Sequence, residues 1–258
     1  MGREGPGVKR LWLWLHLCGL LTFSMGLVSC CAKVPQLPMQ VADNPFPYEA
    51  CVHIKVVPKD NGLSERMAPE EYEQLKSYFM AMGSGAVIEN DGTSEIITAG
   101  HVCDSSDMVF PASPFTEFEV MVYDWKGNGW PARVEAIDAK NDLCLLIVEN
   151  VEFPAELQVT NKEPDIGDHL FLAAAPLGVF VKEMPLLFDG YYSGEDERGV
   201  IMTTIPVAPG SSGGAIVNKK GKIVGIVTAG LVGFENVGIA TSWKKLQEFL
   251  VWAREENE

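Results

Sequence analysis

From Gly85 onward the apolar residues of this chain come in short runs, and each run is closed by turn-forming residues. The runs read GAVI, EIITAG, FEVMVY, ARVEAI, LCLLIV, HLFLAAA, VIMTTIPV, GAIV, KIVGIVTAG and VGIATS, with Asn-Asp-Gly, Lys-Gly-Asn-Gly and Lys-Lys-Gly-Lys between them. Cys51 to Val57 (CVHIKVV) adds one more run ahead of these. Many short strands punctuated by Gly, Asn and Asp specify a sandwich or a barrel. A composition break from Glu152 to Asp168 (EFPAELQVTNKEPDIGD) divides them into two groups of similar size. Two stretches read as helix instead. Pro69 to Met82 opens with proline and two glutamates and places Tyr72, Leu75, Phe79 and Met82 on one face. Trp243 to Trp252 (WKKLQEFLVW) is amphipathic and closes the chain. The fold class is therefore all-β with a C-terminal helix. At 258 residues the chain suffices for one two-lobed domain or two small ones.

Charge narrows the partners. A formal net charge of −15 and a pI near 4.7 argue against nucleic acid, which needs a basic footprint, and against electrostatic docking on anionic lipid. Attachment to a membrane needs another device, and the N-terminus offers one. Lys9 and Arg10 precede an apolar run from Leu11 to Val28, in the manner of an export signal. With His16, Thr22 and Ser24 inside it, the run is marginal as a spanning helix. It ends in Leu27-Val28-Ser29-Cys30, which resembles the lipobox of bacterial lipoproteins, where the signal is cut before a cysteine that then carries lipid. The expectation is a signal over residues 1–29, lipid on Cys30, a proline-rich linker over residues 30–47 and a folded domain over residues 48–258. The product would be periplasmic or at the cell surface and held to the membrane by its lipid. A plain secretory signal or an uncleaved anchor is the alternative.

Six cysteines do not read as a disulfide framework. Cys18 lies in the signal and Cys30 and Cys31 at its end, which leaves Cys51, Cys103 and Cys144, an odd number. Cys144 sits in an apolar run and reads as a buried thiol, and a bridge between Cys51 and Cys103 is left open. No Cys/His spacing points to zinc, and no cofactor or metal is expected.

Three segments carry chemistry. Gly210-Ser211-Ser212-Gly213-Gly214 places a serine in a glycine-rich turn, where backbone N–H groups can point the same way as its hydroxyl. Ile97-Thr98-Ala99-Gly100-His101 is a strand running into a turn that ends in histidine. His53 and His169 lie in apolar alternating runs without chemical context and read as structural. Asn141-Asp142 leads directly into Leu143-Cys144-Leu145-Leu146-Ile147-Val148, so Asp142 is expected to be half-buried and to need a partner such as an imidazole N–H. The order is His, Asp, Ser, with Asp142 lying 41 residues after His101 (142 − 101) and Ser212 lying 70 after Asp142 (212 − 142).

These segments resemble those around the catalytic residues of the trypsin-like serine protease superfamily, and more narrowly its bacterial HtrA/Deg branch. Gly83 to Ile88 (GSGAVI), Ile166-Gly167-Asp168, Ala175-Pro176-Leu177-Gly178 and Asn218 to Gly225 (NKKGKIVG) extend the resemblance from about Gly83 to Ser242. The resemblance implies two perpendicular six-stranded β-barrels, the first over about 48–155 and the second over about 156–245, with a helix over about 243–256. It implies a Ser212 nucleophile, a His101 base and Asp142 orienting it, with the N–H groups of Gly210 and Ser212 as oxyanion hole and protein or peptide substrates. Two departures stand out. Only 46 residues follow Ser212 (258 − 212), so no C-terminal PDZ domain is expected. Ser211 stands where the digestive enzymes carry an aspartate, so activation through a new N-terminal amine is not expected.

The same resemblance assigns the substrate pocket to Pro206 and Val207, to Thr228-Ala229-Gly230 and to Gly238. None is a carboxylate, so a buried substrate Lys or Arg would lack a partner, and small or medium uncharged residues are expected. Glu235 is the one nearby carboxylate. A catalytically silent relative acting as an exported binding or scaffold protein is the rival reading.

Overall fold

The computed structural model describes residues 46–90, 93–104, 113–231 and 233–255. The expected signal, Cys30 and most of the expected linker lie outside these residues.

The described strands form two closed antiparallel barrels of six. The first contains β1 (Cys51–Pro58), β2 (Ala81–Asn90), β3 (Thr93–Thr98), β4 (Phe118–Tyr123), β5 (Gly129–Asp138) and β6 (Leu143–Glu149), in the order β1-β2-β3-β6-β5-β4. The second contains β7 (His169–Ala174), β8 (Leu186–Glu195), β9 (Val200–Thr203), β10 (Ala215–Asn218), β11 (Ile223–Leu231) and β12 (Phe234–Ser242), in the order β10-β11-β12-β9-β8-β7. Closure removes the exposed edges that strands this short would otherwise present. Ile54, Ile96, Ile97, Leu145 and Leu146 of the first barrel are buried on one face of the sheet or the other, as are Leu170, Leu172, Ile201 and Ile216 of the second. The closing helix, Trp243–Glu255, packs Leu246, Phe249, Leu250 and Ala253 into a core shared by strands of both barrels. Its Arg254 reaches back to Glu95 at 2.6 Å and Glu89 at 3.3 Å. The helix thereby ties the two halves.

Three expectations need correction. The helix after β1, α1, spans Pro69–Tyr78 and stops short of Met82. Tyr72 and Phe79 do pack together with Phe115, but Ala81 and Met82 pair with Val56 and Lys55 in β2. Barrel closure outweighs the local helical pattern there. Strand β8 (LLFDGYYSGE) had no counterpart among the apolar runs, because its buried positions include Gly190 and Tyr192 rather than a run of aliphatics. Finally, Cys144 is not a thiol: it is joined to Cys103, and Cys51 is free and partly buried.

Candidate active site

His101 sits in α2, a single turn over Gly100–Cys103 that continues from β3. Asp142 stands in the turn before β6, with φ of 54°, a left-handed conformation that aspartate tolerates better than most residues. The two meet at the mouth of the first barrel. The backbone N–H of His101 donates to Asp142 Oδ1 at 2.8 Å, and Nδ1 lies 2.9 Å from Oδ2. Gly100 allows this approach, since a Cβ there would lie 3.1 Å from Asp142 Oδ1. The hydrogen bond to Asp142 raises the pKa of His101 against the opposing effect of burial. Burial pushes the Asp142 carboxyl up, but the imidazole and the N–H groups of His101 and Gly100 outweigh it, and its pKa is lowered. With Nδ1 facing the carboxylate, Nε2 is left as the nitrogen able to accept a proton.

Ser212 comes from the second barrel, in the turn before β10. Gly210 and Gly213 hold φ of 93° and 85°. A Cβ on Gly213 would meet Thr98 Oγ1 and the Ser84 carbonyl, so only glycine fits against the first barrel there. Most N–H groups in the turn are already committed: Ser211 donates to Ala208, Gly214 to Ser211, and Gly213 to Val227 in β11. Ser211 is buried, and its hydroxyl accepts the Ala208 N–H at 3.3 Å, a structural use of the residue before the serine. Among the described residues the N–H groups of Gly210 and Ser212 donate to nothing. The Pro209 carbonyl accepts from Leu177 N–H at 2.5 Å. A trans peptide points its C=O and N–H oppositely, so the Gly210 N–H faces away from that loop.

The serine turn is seated on β2. Ser84 N–H donates to the Ser212 carbonyl at 2.8 Å, and Val102, beside His101, packs on the neighbouring Gly83. Ser84 Oγ donates to the Gly210 carbonyl at 2.8 Å and accepts from Ala175 N–H at 3.0 Å. Among the described residues no hydrogen bond joins Ser212 Oγ to His101, a contact that commonly tightens only when substrate is bound. Ser84 and Leu177 stand in the sequence within the resembling strings Gly83 to Ile88 and Ala175 to Gly178 without a role of their own, although the small-residue string Gly83-Ser84-Gly85 inside a strand marks a close approach.

A cleft of about 710 Å³ opens beside Ser212, lined by Pro206, Val207, Ala229 and Gly230 from the expected set, together with Leu177, Phe188, Leu231 and Asn236. Thr228 and Gly238 do not line it. Thr228 turns its hydroxyl to the Ile239 carbonyl, and Gly238 backs Val207. The glycines do not leave open room: a Cβ on Gly230 would lie 2.9 Å from one Val207 methyl, and one on Gly238 would lie 3.2 Å from the other. The side chain of Glu235 lies outside the described set. Of the other histidines, His53 is buried, hydrogen-bonded through Nδ1 to the Gly83 carbonyl and stacked on Phe180, and burial lowers its pKa to about 4. His169 pairs with Asp189 at 2.7 Å.

With this geometry in place, comparison with known proteins gives a consistent picture. Residues 83–226 match the model of the trypsin-like peptidase domain. The chain is 28% identical over 162 residues to the probable serine protease do-like of Buchnera aphidicola subsp. Acyrthosiphon pisum, covering 61% of this chain and 31% of that one. It is 27% identical over 156 residues to the periplasmic serine endoprotease DegP of Escherichia coli K12, covering 58% and 30%. To the periplasmic pH-dependent serine endoprotease DegQ of the same strain it is 25% identical over 249 residues, covering 87% and 52%. The match thus spans roughly a third to a half of these relatives. The crystal structure of the serine endoprotease from Yersinia pestis superposes with a TM-score of 0.60 at 20% identity, over 82% of this chain and 65% of that one, which is a likeness of fold.

Proposed function

The chain belongs to the trypsin-like peptidase family, and we propose that it is a serine endopeptidase acting outside the cytoplasm. Ser212 is the nucleophile. His101 takes its proton through Nε2 as Ser212 attacks the scissile carbonyl, and returns it to the leaving amine. Asp142 holds the tautomer and stabilises the imidazolium. The N–H groups of Gly210 and Ser212 receive the oxyanion. No cofactor takes part. The observation that carries the reading is the pair of unspent N–H groups flanking the serine, in a turn whose other N–H groups are committed. A turn with no catalytic task would have little reason to leave those two open beside a His–Asp pair.

Val207 shapes the preference. Its methyls fill the space over Gly230 and Gly238, so the pocket suits small or medium uncharged residues such as Ala, Val, Leu or Met. Export is supported by the basic flank and apolar run at the N-terminus and by the periplasmic relatives DegP and DegQ. The Leu-Val-Ser-Cys string supports a mature protein that begins at a lipid-modified Cys30. Intact-mass analysis of protein from a lipoprotein-processing host decides that point: a different N-terminus or an unmodified Cys30 refutes it. A fluorophosphonate probe tests the catalytic reading. It should form one adduct, mapped to Ser212, and an intact folded chain that takes up no probe would overturn the assignment.

A further inference from the structure

The disulfide links two residues at matching offsets. Cys103 is two positions after His101 and Cys144 two positions after Asp142, so both pairs are 41 residues apart. We propose that Cys103–Cys144 is a positioning device for the base, holding the His101 turn on the strand that carries Asp142. This inference rests on the protease reading and adds a named structural requirement to it.

The turn needs such a hold. A helix of one turn has no persistence of its own, because nucleation is unfavourable and propagation never repays it. What fixes it lies at its two ends. Thr98, three residues before His101, pairs in register with Cys144 across β3 and β6. Cys103, two residues after His101, is bonded to the same Cys144. The segment from Thr98 to Cys103 is thus pinned at both ends on one residue, and His101 has little freedom relative to Asp142.

The His101–Asp142 hydrogen bonds do not provide this restraint unaided. The His101 and Asp142 side chains are 46% and 30% exposed, so water competes for their hydrogen bonds and screens their attraction. The cysteines beneath them are buried in the first barrel's core, at 5% and 0% exposure, and neither lines the cleft. They act on His101 through the backbone, as positioning residues. Small misplacements of a catalytic group are costly in rate, about 10²-fold for 1 Å.

The test compares the oxidised full-length chain with two double variants, Cys103→Ala/Cys144→Ala and Cys103→Val/Cys144→Ala, each checked for fold by near-UV circular dichroism. Should neither variant fold, the native chain reduced with a phosphine replaces them. Two readouts are taken: kcat and KM on a peptide substrate, and titration of the His101 imidazole by NMR, which does not depend on turnover. Loss of the bridge should lower kcat by about tenfold or more with KM within about twofold. The His101 midpoint should move down, since Asp142 is what holds it up. A kcat and midpoint both unchanged, with only thermal stability lost, would overturn the proposal, as would a fall in kcat with no movement of the midpoint. If the native chain hydrolyses nothing but the midpoint still drops on losing the bridge, the protease reading fails and the positioning role stands.

Discussion

One carboxylate, that of Asp142, takes two hydrogen bonds from one residue: the backbone N–H of His101 at 2.8 Å and its Nδ1 at 2.9 Å. The bond to the imidazole favours its protonated form and raises its pKa. Only neutral imidazole can accept the serine proton, so kcat/KM should be low in acid and rise as His101 deprotonates. The midpoint should lie above the unperturbed value of about 6.5. His53, held near 4 by burial, is neutral throughout that range and contributes nothing to the rise. A profile flat from pH 5 to 8 would contradict His101 as the base. In Asp142→Asn the midpoint should fall and kcat drop by about 10³–10⁴, because the imidazole loses its orienting partner.

Ser84 carries the contact between barrels that seats the serine turn. In Ser84→Ala the buried Ala175 N–H and the partly buried Gly210 carbonyl each lose a partner. Stability should fall by about 1–3 kcal/mol. kcat should fall while KM changes little, since Gly210 also carries one of the two N–H groups proposed to receive the oxyanion. Denaturant unfolding and steady-state kinetics on the same sample separate the two effects, and an unchanged kcat would remove Ser84 from the account of the site.

Val207 packs over Gly230 and Gly238, and on the proposed reading it limits the size of the pocket. In Val207→Gly that volume opens, and preference should move toward larger apolar residues such as Phe, by about tenfold or more in relative kcat/KM. Profiling against a peptide library reads this directly. A dominant preference for Lys or Arg in the native chain would overturn the pocket assignment and leave the triad untouched.

Much of this molecule was legible in its residues, and the exceptions have physical causes. Runs such as LCLLIV and KIVGIVTAG announce strands because barrel interiors demand consecutive or alternating aliphatics. β8 gives no such signal: a Cβ on Gly190 would lie 2.7 Å from the Thr204–Ile205 backbone, and the next buried position is the aromatic Tyr192, so no aliphatic run marks the strand. The pattern from Pro69 to Met82 overran its helix because residues at helical spacing were claimed by pairing with β1. His101 and Asp142 stood out through the strands they adjoin, yet their tie through Cys103 and Cys144 did not, because an apolar run makes a cysteine look like a buried thiol. The equal two-residue offset from His101 and Asp142 is the available signal. Leu177 stands in the sequence only within the string Ala175-Pro176-Leu177-Gly178, with no role of its own there. Its role is carried by a backbone N–H and by φ of 54°, a strained conformation for leucine costing about 1 kcal/mol that no side-chain pattern encodes.

On the proposed reading, peptide hydrolysis by this chain rests on Ser212. The most direct measurement follows cleavage of an unfolded protein substrate by the native chain and by Ser212→Ala, each purified alike and shown by circular dichroism to share one fold. Cleavage by the native chain, with the variant reduced by about 10⁴-fold or more, is the predicted result. Equal cleavage by both would place the activity elsewhere, and no cleavage by a folded native chain would contradict the account.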